Sequence, residues 1–209
     1  MQEGSAQLPA KTPKRSARRT VVWACVGIAF LAGAGWAYRW RARTTYVTDR
    51  LEIAHHALHH GNAADAEAPL KEALAANPRS FPAHQMLASM YESMDEQDKA
   101  HAQLRAAVKV LPRNAEAHYA LATFCIADKR YPEAIAEFKG VLSLDPRNRM
   151  ARHLLARCHM WDGQPEKAVQ VFKDILADDP RDQAAESGLA TAKAKLGAAK
   201  FRAGAPASR

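Results

Sequence analysis

The chain is poor in the residues that staple, bend or catalyse. Cysteine occurs three times in 209 residues, at Cys25, Cys125 and Cys158, and never as a CxxC pair. Neither a zinc ribbon nor a thioredoxin-like motif is supported, and the odd count argues against a disulfide framework. Cys125 and Cys158 are expected to act as small buried hydrophobes. Glycine (10), proline (11) and aromatics (7%) are modest while alanine is plentiful, which favours helix over sheet. There is no HExxH, no glycine-rich phosphate loop and no GxSxG. "GAGWAY" lies inside an apolar run and is no nucleotide loop. The chain is therefore not expected to be an enzyme, and no catalytic residue or cofactor is nominated.

A net charge of +8 raises nucleic acid as a partner, but the distribution opposes it. Residues 1–50 hold nine Lys/Arg against two Asp/Glu, residues 51–180 fifteen against eighteen, and residues 181–209 six against two. The largest part is thus mildly acidic with mixed signs, as on a solvated surface. No basic stripe interleaved with aromatics is present, so no nucleic-acid partner is expected.

Charge is absent from one stretch, "VVWACVGIAFLAGAGWAY", residues 21–38. As a helix it spans about 27 Å, close to the hydrocarbon thickness of a bilayer. Trp23 marks one end and Trp36, Tyr38 and Trp40 the other, and Lys/Arg residues flank both. This pattern predicts a transmembrane signal anchor at 21–38 after a basic cytoplasmic tail, 1–20, with a linker at 39–46. Cleavage at Ala32-Gly33-Ala34 is the alternative. The five cations before the segment favour an inside N-terminus, in a single-pass inner-membrane protein whose bulk is periplasmic if the source is bacterial. Cys25, Ala29, Gly33 and Ala37 recur every four residues and offer a stripe for self-association.

Prolines stand at 78, 112, 146 and 180, always 34 apart. Each ends a helix, and a fixed period of this length marks a repeat architecture. The same step is kept by Ala66, Ala100, Ala134 and Ala168, by Leu70, Leu104, Phe138 and Phe172, by Ala54, Ala88, Ala122 and Ala156, and by Ile53, Leu87, Leu121 and Leu155. Within each unit the apolar positions step by three and four, giving two amphipathic helices. The predicted pairs are 47–60 with 64–76, 81–94 with 97–110, 115–128 with 132–144, and 149–161 with 165–178. A capping helix comes next at 182–197, then a disordered tail at 198–209.

The third unit, "AEAHYALATFCIADKRYPEAIAEFKGVLSLDPRN", resembles the tetratricopeptide repeat (TPR) family along its whole length. The resemblance covers residues 47–180, in units 47–80, 81–114, 115–148 and 149–182. It departs from the family pattern in having alanine at the eighth position of every unit. The second unit also has Asp95 at the tight turn, where the first and fourth have Gly61 and Gly163. The fold it implies is all-α, an α-solenoid of four helix-turn-helix repeats with a C-terminal cap.

The resemblance also implies a concave groove lined by the first helices. In the first unit its lining is Thr48, Leu51, His55, Leu58 and His59. The second unit gives Gln85, Ser89, Glu92 and Ser93. The third gives Glu116, Tyr119, Thr123 and Ile126, and the fourth Met150, His153, Arg157, Met160 and Trp161. Aromatics, methionine and arginine are the residues that anchor protein partners. The basic carboxylate clamp of chaperone-binding relatives is not matched, since Leu51, His55, Gln85, Ser89, Tyr119 and Thr123 occupy those positions.

"HHALHHGN" places His55 with His59 and His56 with His60, four apart on a helix. His55 and His59 fall on the groove side and His56 and His60 on its flank. One pair with a carboxylate or water would bind Zn²⁺, Ni²⁺ or Cu²⁺ weakly, and the plainer reading is a polar exposed face. The expectation is a membrane-anchored adaptor that holds a peptide or helix of another protein, in assembly of a cell-envelope complex. The alternatives are a metal-handling protein, or an import-receptor-like protein with cytosolic repeats.

Overall fold

The computed structural model describes the backbone of residues 15–204 and the side chains of residues 35–198. Its described residues form nine helices and no strand. They are α1 (Arg15–His59), α2 (Ala63–Ala76), α3 (Phe81–Ser93), α4 (Gln97–Val110), α5 (Ala115–Ala127), α6 (Tyr131–Leu144), α7 (Arg149–Trp161), α8 (Pro165–Asp178) and α9 (Gln183–Gly204). The chain divides into two compact units, Met1–Tyr46 and Val47–Arg209. In the second, from α2 onward, each helix packs on the next, and α9 also touches α7. This is the TPR-like solenoid that the 34-residue step predicts, with the ends of α2 to α8 within about two residues of the expected ones.

Two kinds of corner build the stack. Inside each pair the chain turns through one left-handed residue: Gly61 (φ 76°), Asp95 (φ 59°), Lys129 (φ 58°) and Gly163 (φ 72°). The next N–H reaches back five residues, from Asn62 to Ala57, Glu96 to Tyr91, Arg130 to Cys125 and Gln164 to His159. That bond satisfies a carbonyl the helix end would leave open. Two of these corners use glycine, which takes the left-handed conformation freely, and two use residues that do not.

Between pairs, the Asn77, Asp145 and Asp179 side chains accept the N–H of Arg79, Arg147 and Arg181 across the proline. Six residues after the first three of these prolines a side chain donates to the proline carbonyl: His84 to Pro78, His118 to Pro112, Arg152 to Pro146. Asn114 and Asn148 then cap α5 and α7 by accepting from Ala117 and Ala151. The "PRN" motif is thus a turn and a cap in one.

The periodic apolar residues are the core. Leu70, Phe138 and Phe172 are at most 2% exposed and the period's alanines are sealed. Burying one such large side chain stabilises the fold by roughly 1.5–3 kcal/mol, while alanine lets the helices approach. Cys125 and Cys158 are buried and free, as expected. Burial pushes their thiols up to about 12 and about 11, so both stay protonated and unreactive at neutral pH.

Four expectations need correction or restriction. Ile53 is 47% exposed whereas Leu87, Leu121 and Leu155 are buried. Ile53 belongs to the first described unit, and no earlier pair exists among the described residues to cover it. Residues 39–46, expected as a linker, are helical within α1; the Thr44 and Thr45 hydroxyls bond back to Trp40, Arg41 and Ala42 carbonyls, which holds threonine in a helix. The helix after the last pair runs to Gly204, past the expected end at 197, because "AAKFRA" is made of helix-tolerant residues. Among the described residues no helix is long and apolar enough to cross a membrane. The side chains of residues 21–34, with Cys25, Ala29 and Gly33 of the expected stripe, lie outside the described residues, as do residues 1–14 and 205–209.

Candidate partner-binding groove

Gln85, Ser89 and Glu92 on α3 and Glu116, Tyr119 and Thr123 on α5 step by three and four, so each set shares a helix face. These two faces, with Met150 at the start of α7, bound a cavity of about 840 Å³. Phe81, Leu104, Phe124 and Val141 supply apolar surface to its lining. Tyr119 sits edge-on to buried Phe138 with ring centroids 5.8 Å apart, which fixes its ring. Thr123 spends its hydroxyl on the carbonyls of Tyr119 and Ala120. The charge among the lining residues comes from Glu92 and Glu116. Partial desolvation raises the Glu92 carboxyl above its ordinary value, with no cation offsetting it.

A second cavity, about 790 Å³, lies between α7 and α9. Met150, His153, Arg157 and Met160 of α7 line it, with Arg149, Phe172, Ala184, Ser187, Gly188 and Thr191. Its charge has the opposite sign. Asp182, buried behind it, accepts from the backbone N–H of Ala185 at 3.0 Å, from His153 Nε2 at 2.8 Å and from Arg149 Nε and Nη2 at 3.1 Å. These bonds, the Ala185 N–H first, hold its carboxyl down at about 2. The carboxylate is both the cap of α9 and the counter-ion of α7. α9 approaches closely because Gly188 lacks a side chain: a Cβ there would collide with the Phe172 ring.

The structure brings together Gln85, Ser89, Glu92, Glu116, Tyr119, Thr123 and Met150 in the first cavity, and Met150, His153, Arg157 and Met160 in the second. It leaves out the other nominees. Leu51 and Ile126 are half-buried against the core. Trp161, nominated as an anchor, lines neither cavity; its ring packs on Tyr131 at 5.6 Å and carries the Arg157 guanidinium at 4.8 Å. His55 and His59 are exposed and line neither. Sequence reasoning missed the α9 wall. Its two signals were Gly188, a glycine inside a helix, and "PRD" in place of "PRN" at Asp182.

Among the described residues one group of three metal-ligand types lies close, His101, Cys125 and Glu133, with atoms within 4.8 Å of one another. The bonding favours a latch over a metal site. Arg130 donates to His101 Nδ1 at 3.1 Å, so Nε2 bears the proton and donates to Glu133 at 2.9 Å. A metal on Nε2 would move the proton to Nδ1, against the guanidinium. The latch joins α4 to the start of α6 across two repeats. Tyr91 donating to Glu67 at 2.8 Å occupies the same register one repeat earlier.

Stacked helix pairs whose first helices wall a continuous groove define a solenoid repeat protein, a class whose working surface is that groove. Two tetratricopeptide-repeat family models match, at residues 86–149 and 125–196. The chain belongs to the tetratricopeptide repeat family. No curated protein matches it. Among solved structures it is similar to MamA, at 20% identity over 73% of this chain and 83% of that one, with a TM-score of 0.61. It is also similar to PilF of Pseudomonas aeruginosa, at 24% identity over 74% and 71%, with a TM-score of 0.57. At such identity the likeness speaks to fold alone.

Proposed function

We propose that the protein is a membrane-anchored docking scaffold whose first-helix groove takes an amphipathic segment of another protein, in assembly of a cell-envelope complex. The observation that carries the docking half is the first cavity. Three successive first helices contribute to it, its floor is apolar, and among the described residues no cation pairs with its carboxylates. A partner segment with an apolar face and a Lys or Arg opposite Glu92 and Glu116 satisfies both surfaces. An anchor in residues 21–38 is supported by the residues around its C-terminal end: Trp36, Tyr38 and Trp40 are 70%, 76% and 59% exposed and adjoin Arg39, Arg41 and Arg43. Exposed aromatics among arginines suit the membrane interface. Tethering in a plane raises the local concentration of both partners, so modest groove affinity suffices.

Photo-crosslinkers at Gln85 and at Lys71, outside the cavity, test the docking reading in intact membranes. Crosslinks from Gln85 alone, to segments rich in Lys or Arg, are expected; equal yield from both positions overturns the groove. Recovery of the intact chain in the soluble fraction overturns the anchor. An alkaline-phosphatase fusion at the C-terminus reports on which side the repeats lie, and activity is the expected result.

A further inference from the structure

We propose that His56 and His60 chelate a divalent transition metal of the imidazole-binding class, Zn²⁺, Ni²⁺ or Cu²⁺, where α1 ends. Their Nε2 atoms face each other 3.1 Å apart. With metal–nitrogen bonds of about 2.0–2.1 Å, one ion placed on both nitrogens subtends an angle of about 100°. That value lies between the cis angle of a square plane and the tetrahedral angle, so these metals fit without movement of the backbone. The other histidines do not offer this. The His55 and His59 ring centroids are 6.5 Å apart, against 4.3 Å for His56 and His60. His59 meets His60 edge-on at 5.6 Å.

The pair is held by the backbone. His60 N–H donates to the His56 carbonyl at 3.1 Å, and the Gly61 N–H to Leu58 closes the corner behind it. The spacing is therefore set by a helical turn. The end of a helix carries partial negative charge, which favours a cation. Among the described residues no third ligating side chain lies close to the pair, so water completes the coordination. Both histidines are exposed, so an ion reaches them without opening the fold. The site is independent of the groove reading, because neither histidine lines a cavity.

Titration of the full chain in detergent with zinc and nickel chlorides, read by calorimetry, tests the proposal. The expected result is one site of micromolar affinity. His56→Ala or His60→Ala weakens it by about tenfold or more, whereas His55→Ala and His59→Ala leave it unchanged. Metal also raises the melting temperature of the parent protein and not that of His60→Ala. All four positions are exposed, and circular dichroism verifies that each variant is folded. No binding at submillimolar metal overturns the proposal, and so does equal weakening by His55→Ala or His59→Ala.

Discussion

The two cavities sit on one scaffold and meet at Met150, yet they handle charge in opposite ways. In the first, Glu92 and Glu116 face an apolar floor with no counter-ion among the described residues, and desolvation raises Glu92. In the second, the cations are already engaged: Asp182 takes Arg149 and His153, and Arg157 lies over Trp161. A carboxylate left wanting a cation is available to a partner; a cation answered by its own chain is holding the fold. The comparison teaches that position on the repeat selects the face, while the neighbour one repeat along decides whether the side chain is free.

The largest effect that would break this comparison is Asp182→Ala. It removes the α9 cap and leaves His153 and Arg149 without their acceptor, so denaturant titration should show a loss of about 3 kcal/mol. Gly188→Ala forces a methyl into Phe172 and lifts α9; a loss of about 2 kcal/mol is expected by the same measurement. Acid sharpens the contrast. The Asp182 carboxyl titrates at about 2 when folded, against 3.8 ordinarily, so its stabilisation is complete above the ordinary value and disappears as pH falls between the two. The stability gap between the parent protein and Asp182→Asn should close over that window. Glu92→Gln with Glu116→Gln tests the other side: stability stays within about 0.5 kcal/mol, while crosslinking to partner from Gln85 falls. An equal loss of stability would erase the distinction. Lys129→Gly should stabilise by roughly 0.5 kcal/mol by relieving a left-handed lysine, less the entropy glycine costs.

Most of the scaffold was legible because helix breakers and small residues obey a period, and period is a local property. The alanines and large apolar residues at each step map directly onto the core. Ile53 departs because burial at that position requires an earlier pair, which no single unit encodes. The groove was legible by face and only partly by residue. Tyr119, Met150 and the glutamates follow helix phase, but Trp161 stands at the end of α7, where Tyr131 of the preceding repeat captures it. Asp182 and Gly188 were opaque for the same reason: their meaning lies in what they touch across the stack. The histidine pairs were legible as pairs, but side-chain rotamers decided which one converges.

Met150 stands where the chambers adjoin, 60% exposed and shared by both walls. A flexible thioether in that place makes the two ends readable from one atom. An isotope label on its single methyl carbon would register an occupant at either side in one spectrum, and two separate resonance shifts would tell which end had filled.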